Sequence, residues 1–203
     1  MNTEKHLTAK GRRTATRVLD AATTVLAHDG FGGATLSRIA EEAGLDKRNV
    51  LYYYGTREAL LVRVVQTVGE RVAEHIEVTV GEIDSPDQLA HALVEAMWSG
   101  ITSAPELARA YFALIGGGAG SPEVEEALRT LKRAYEQLIT RQLQSISHTR
   151  WRLRHDVPSM VTLTLAVFRG LLLEWTETGD TAASAASLRR LKRVIAAEYV
   201  EAE

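Results

Sequence analysis

The chain has 203 residues, is 45% hydrophobic and 25% charged, contains no cysteine and carries a formal net charge of −2. That length suits one large domain or two modest ones around a sizeable core, and the composition excludes wholesale disorder. Without cysteine, disulfides, thiolate nucleophiles and Cys-based metal centres are excluded together, which fits a reducing cytoplasm. Met1 to Lys10 is polar and has no signal-peptide core. The most apolar run, Val157 to Leu173, is broken by Pro158, Thr162, Thr164 and Arg169 and reads as too short and too polar to span a bilayer. The expectation is a soluble cytoplasmic protein with no membrane association. The charge is uneven: residues 1–63 balance at +3 and the remainder at −5. A basic first third hints at phosphate binding.

The periodicity is helical throughout. A first helix is expected from about Lys10 to His28, with Val18, Ala21, Ala22, Val25 and Leu26 on one face and Asp29-Gly30 as its stop. Thr35 caps a short helix from Leu36 to Ala43, Gly44 ends it, and Asp46 caps a third from Lys47 to about Tyr53. Thr56 opens a long fourth helix to about Val80. Ser85-Pro86-Asp87-Gln88 and Ser121-Pro122-Glu123 are strong start signals for helices of about 86–102 and 122–147. Pro105 begins a shorter helix to about Ile115, ahead of a glycine-rich connector. The last two helices run about 157–178 and 182–201. No run alternates long enough to make a strand. The expected fold is all-α with about nine helices. It divides into a small head, 1–55, and a larger domain, 56–203, with the helix from 56 to about 80 as connector.

Leu36 to Leu61, LSRIAEEAGLDKRNVLYYYGTREALL, has helix-turn-helix spacing. Ile39, Ala40 and Ala43 face inward, Gly44 makes the turn, Leu45 plugs it, and Val50 and Leu51 pack from the second helix. That leaves Lys47, Arg48 and Asn49 at the exposed start of the second helix, where long donors and an amide reach base edges in a major groove. A helical hairpin with a solvated charged tip has the same spacing.

On these residues the chain resembles the tetracycline-repressor (TetR) family. The likeness rests on Phe31 with Thr35, Ile39-Ala40-Glu41-Glu42-Ala43-Gly44, Tyr52-Tyr53-Tyr54 and Thr56-Arg57-Glu58-Ala59-Leu60-Leu61, and covers about residues 10–62. The resemblance implies a homodimer that binds double-stranded operator DNA and responds to a small molecule. It implies phosphate contact by Thr35, by Arg57 and by the aromatic pair Tyr52 and Tyr53, with Ser37 and Arg38 near the groove and Lys47, Arg48 and Asn49 leading the recognition helix. Leu51 replaces the family's usual tyrosine, and Asp46 stands where serine or threonine is common. Tyr54 reads as core, and Tyr53 suits core or contact equally. The basic arm carries Lys5, Lys10, Arg12, Arg13 and Arg17; residues 1–8 read as a solvated tail, and Arg12, Arg13 and Arg17 as phosphate contacts.

Other chemistry is not supported. The six histidines are scattered, with no HExxH or ExxH motif, and no metal site or cofactor is expected. His91 and Glu95 share a helix face and could ligate one metal, but with no second cluster in the sequence they read as a solvated or hydrogen-bonded pair. No nucleophile with an orienting base can be assembled, so the chain does not read as an enzyme.

The 157–178 helix is apolar on nearly every side, and a helix of that kind needs cover on every side. With Leu188, Leu191, Val194, Ile195 and Tyr199 on the last helix, it matches the resembled family's dimer of last-two-helix pairs, and Leu172 and Leu191 read as candidates for the shared face. The family's effector pocket would draw on Trp98, Tyr111, Phe112, Tyr135, Met160, Thr164 and Phe168, although core packing explains each position too. Arg109 and Arg169 stand in apolar surroundings where they could meet an acidic ligand or pair with Glu106 or Glu174. The leading reading is a ligand-responsive repressor released from a palindromic operator by a small hydrophobic molecule. The alternative is an all-α carrier or enzyme for a hydrophobic ligand.

Overall fold

The computed structural model describes residues 8–79, 83–146, 151–179 and 181–201. Among the described residues it contains nine α-helices: α1 Ala9–Gly33, α2 Leu36–Glu42, α3 Lys47–Tyr54, α4 Arg57–Thr79, α5 Pro86–Thr102, α6 Pro105–Gly117, α7 Pro122–Ser145, α8 Val157–Thr178 and α9 Thr181–Ala197. The all-α expectation holds. Helix boundaries follow local chemistry. Gly30 breaks α1 at φ 71°, a left-handed value that glycine adopts without strain. The Thr35, Thr56 and Ser85 side chains each accept from the backbone N–H three residues on, at 3.2, 3.0 and 3.3 Å.

Two capping expectations fail. Asp46 stands at the N-cap of α3 but accepts no bond with its side chain. Ser121 precedes α7 with its hydroxyl buried and unpartnered, and the Glu125 carboxylate accepts from Gly120 N–H at 3.0 Å instead. The glutamate reaches back over the turn to a donor that precedes the serine.

A short antiparallel pair was not anticipated. β1 Trp151–Leu153 pairs with β2 Tyr199–Glu201, so α9 ends at Ala197 rather than running on to about 201. The Tyr199 hydroxyl donates to the Leu143 carbonyl at 2.5 Å, and burial pushes its pKa above the ordinary tyrosine value. A helical continuation would forfeit that buried bond.

The chain divides into two compact units: Met1–Thr67 with Arg109–Leu128, and Val68–Ala108 with Arg129–Glu203. The expected boundary at 55/56 falls inside the first unit, and 109–128 joins the head. Packing explains this assignment. A Cβ placed at Gly117, the end of α6, would lie 2.2 Å from Phe31 Cβ, so a glycine there lets α6 meet the end of α1. The first unit's core includes Val18, Leu26, Ile39, Val50, Leu60 and Leu61, all fully buried. In the second unit Leu89, Leu93, Ile139, Leu143 and Ile195 play that part.

Helix α8, 22 residues long, is apolar and long enough to cross a bilayer by length and composition, contrary to the expectation from its polar interruptions. Thr164 is turned inward and buried, so that interruption does not make the helix surface polar. Leu172 and Leu191 prove to be core of their own chain. On α8 and α9 the large apolar residues left exposed are Leu163 (45%), Leu173 (41%) and Val194 (43%).

Candidate nucleic-acid interface

The interface is built on the first unit. Helix α2 ends in a paired turn: Leu45 N–H donates to the Ala40 carbonyl and Gly44 N–H to the Glu41 carbonyl, both at 2.9 Å, with Gly44 left-handed at φ 58°. This is the double bond set of a Schellman motif, and it fixes the direction in which α3 leaves. Two long-range bonds then seat the turn and α3 on α1. Arg17 donates to the Gly44 carbonyl at 3.3 Å, and the Tyr54 hydroxyl donates to the Ala15 carbonyl at 2.9 Å. Tyr54 is therefore a half-buried packing residue, and burial raises its pKa. Ile39, Ala40, Ala43 and Val50 are buried between the helices.

What remains outward is the N-terminal half of α3. Lys47 and Arg48 are exposed and Asn49 half-exposed. Thr35 and Ser37 are exposed at the start of α2. Tyr52 is exposed, and its ring meets Tyr53 edge-on at 5.0 Å, with Tyr53 half-buried beneath. Leu51 is exposed rather than packed inward. It replaces a hydroxyl on this face with an apolar surface of the kind that meets a thymine methyl group. On α1, Arg12, Arg13 and Arg17 with Thr16 and Asp20 line an open groove of about 380 Å³.

Two cations expected at the DNA-facing side, Arg38 near the groove and Arg57 on phosphate, are committed elsewhere. Arg38 donates to Asp29 at 2.9 Å and Glu42 at 3.0 Å, with Glu41 at 3.9 Å. These carboxylates, with the Glu42 bond first, raise its pKa above the ordinary guanidinium value. Arg57 is half-buried. It donates to the carbonyls of Ala34 (2.6 Å) and Phe31 (2.5 Å), lies 4.5 Å over the Phe31 ring and approaches Glu58 at 3.5 Å. It ties the entry of α4 to the residues that connect α1 to α2. The Arg38–Glu42 pair has ordinary i,i+4 helix spacing, but Asp29, Ala34 and Phe31 lie 9 to 26 positions from the arginines they bind and are not visible as partners in the sequence.

The capping role of Thr35 is testable alone. Thr35→Ala removes the acceptor for Arg38 N–H, and loss of an N-cap side chain costs about 1 kcal/mol. A thermal melt should show that loss, and Thr35→Ser should restore most of it.

The residues proposed for an effector fall into two groups. Trp98, Tyr135, Met160, Thr164 and Phe168 are in the second unit, and Tyr111 and Phe112 in the first. Trp98 packs edge-on against Phe168 at 5.9 Å and Trp175 at 6.0 Å. Tyr111 and Phe112 meet each other at 5.4 Å. The Tyr135 hydroxyl is spent on the Val68 carbonyl at 3.2 Å. Arg109 is exposed and Arg169 half-buried, so neither sits in the apolar interior expected for it. The His91–Glu95 face is occupied: Lys192 binds Glu95 and lies 3.4 Å from His91 Nδ1, so an ammonium stands where a cation would be held.

Residues 18–64 match the sequence model of the bacterial regulatory proteins of the tetR family. Over 51 residues the chain is 41% identical to the HTH-type transcriptional regulator RutR of Escherichia coli, covering 25% of this chain and 24% of RutR. The chain therefore aligns with about a quarter of that relative's length. Among solved structures, a TetR transcriptional regulator from Chloroflexus aurantiacus superposes with a TM-score of 0.80 at 20% identity, covering 96% of this chain and 100% of that one. The regulator FadR from Bacillus subtilis, in complex with stearoyl-CoA, superposes at 0.75 with 16% identity, covering 90% and 98%. At these identities the likeness is one of fold.

Proposed function

We propose that the chain, whose residues 18–64 match the tetR-family model, is a homodimeric, cytoplasmic, non-enzymatic repressor of that family with a helix-turn-helix head. It sits on a palindromic operator and is released by a small hydrophobic effector. The observation that carries the DNA reading is the start of α3. The Lys47, Arg48 and Asn49 side chains project from a helix anchored on its other face, and among the described residues they make no internal hydrogen bond or ion pair. In this reading Arg48 and Asn49 address bases. Lys47, Thr35, Ser37, Tyr52, Tyr53, Arg12 and Arg13 hold phosphates and sugars. Arg38 and Arg57 position the head. The exposed leucines of α8 and Val194 of α9 support a dimer through those helices. Trp98, Met160, Thr164 and Phe168 are the effector-facing residues we retain, with Tyr111, Phe112 and Tyr135 at most accessory.

Binding of the purified chain to random duplex DNA at low salt tests the class, followed by selection of a preferred sequence. Arg48→Ala and Asn49→Ala should then alter which sequences are selected, since a bidentate base contact contributes roughly 1–3 kcal/mol of discrimination. Lys47→Ala should weaken all sequences alike and lower the salt slope by about 1. No binding at low salt overturns the regulator reading. Unchanged selection by both base-facing variants overturns the residue assignment.

A further inference from the structure

Among the described residues of the second unit, the buried side chains include two polar ones, Thr164 and Ser184, and no charged one. The Thr164 hydroxyl is fully buried and has no hydrogen-bond partner. A helical threonine has a ready acceptor in the carbonyl four residues back. Thr14, Thr23, Thr67, Thr102 and Thr178 all use it, at 2.7–3.0 Å. The Thr164 hydroxyl does not take the Met160 carbonyl and is given to the interior instead. An unmade bond of this kind carries the desolvation penalty of the group with nothing to offset it.

The surroundings on the same helix face are apolar and deformable. Met160 lies one turn before Thr164 and Phe168 one turn after, both buried, and Phe168 meets the Trp98 ring, which also meets Trp175. Met97, beside Trp98 on α5, is buried as well. Methionines rearrange around a guest more readily than branched side chains. The edge-on ring contacts suit an added aromatic face.

We propose that Thr164 is the polar anchor of the effector site and that the effector is uncharged: a mostly apolar, aromatic molecule with one hydrogen-bonding oxygen or nitrogen. This rests on the reading that the second unit binds an effector. Charge is excluded by the absence of a buried counter-charge among the described residues, because an ionised ligand desolvated without a partner is strongly disfavoured. Arg169, the nearest cation on α8, points about 140° around the helix from Thr164.

The test uses three probes of one shape, 1-naphthol, naphthalene and 1-naphthoate, titrated calorimetrically into the full chain. Wild type should bind 1-naphthol about tenfold more tightly than naphthalene, the value of one hydrogen bond, and 1-naphthoate most weakly. Thr164→Val keeps the shape without the hydroxyl. It should bind 1-naphthol and naphthalene alike and melt no lower than wild type, while Thr164→Ser keeps the preference. Strongest binding of 1-naphthoate, failure of all three probes, an unchanged preference in Thr164→Val, or a clearly lowered melting temperature of that variant each overturns the proposal. The last would mean that the hydroxyl is already satisfied. Thr164-dependent binding of 1-naphthol that leaves DNA affinity untouched keeps the site and overturns the effector reading. DNA release by a ligand indifferent to Thr164→Val does the reverse.

Discussion

Leu163→Glu combined with Leu173→Glu is expected to turn the protein into a monomer and to lower its affinity for a two-half-site DNA by roughly 10²–10⁴-fold, the avidity lost when one of two linked heads is removed. The two leucines are exposed on α8, and Ala166 and Gly170, between them at helical spacing, are exposed as well. Leucines flanking small residues make a face on which a second helix can lie close. Val194 adds an exposed apolar residue on α9. Since none of these side chains belongs to the chain's own core, charging them should spare the fold. Sedimentation of wild type and variant, with each titrated against DNA selected by wild type, checks both halves. A wild-type monomer at micromolar concentration removes the basis of this prediction. The contrast with Leu172 and Leu191 is instructive: both are buried within the chain, so charging them would unfold the unit rather than separate two copies.

Arg57→Ala is expected to destabilise the first unit by about 2–4 kcal/mol, because two carbonyls lose a charged donor in a half-buried place. DNA affinity should fall as the head loosens, but the salt dependence should not change. A side chain that neutralises a phosphate lowers the salt slope by about 1 when removed. Arg57→Lys separates the two roles. It keeps the charge but cannot fork to Phe31 and Ala34, so it should melt almost as low as the alanine variant. If lysine restores both stability and affinity, Arg57 acts as a point charge on DNA. Phe31 explains the sensitivity of this spot, since it supports the guanidinium on one side and packs against Gly117 on another.

Local signals in the sequence were reliable at most helix starts and turns, the caps expected of Asp46 and Ser121 excepted. Thr35, Thr56 and Ser85 cap as expected, Gly30 breaks α1 although helix resumes to Gly33, Gly44 ends α2, and the inward set Ile39, Ala40, Ala43 and Val50 is buried. What was illegible depended on distant partners. Glu125 binds Gly120 N–H because the turn before α7 brings that donor within its reach. Trp151–Leu153 pairs with residues nearly fifty positions on, and strands of three residues are too short to show alternation. In the candidate interface the exposed donors at 47–49 were legible, because they open a helix whose other face is apolar. Arg38 has Glu42 at i,i+4 spacing, but its bond to Asp29 and the commitment of Arg57 to Phe31 and Ala34 were not legible, because those partners come within range only after α1 and α2 have packed. The buried orphan at Thr164 was likewise hidden, since periodicity places a residue on a face but does not say which acceptor its hydroxyl takes.

The three tryptophans, Trp98, Trp151 and Trp175, all belong to the second unit, whereas Tyr52, Tyr53 and Tyr54 stand in the head. The molecule is thereby optically partitioned. Emission excited at the red edge, where tyrosine is dark, reports the second unit alone, and Trp98 sits where it touches both Phe168 and Trp175. Ligand entry can thus be followed in the unlabelled protein, with dye-labelled DNA as an independent channel for the head, and the order of the two events read from one mixing experiment.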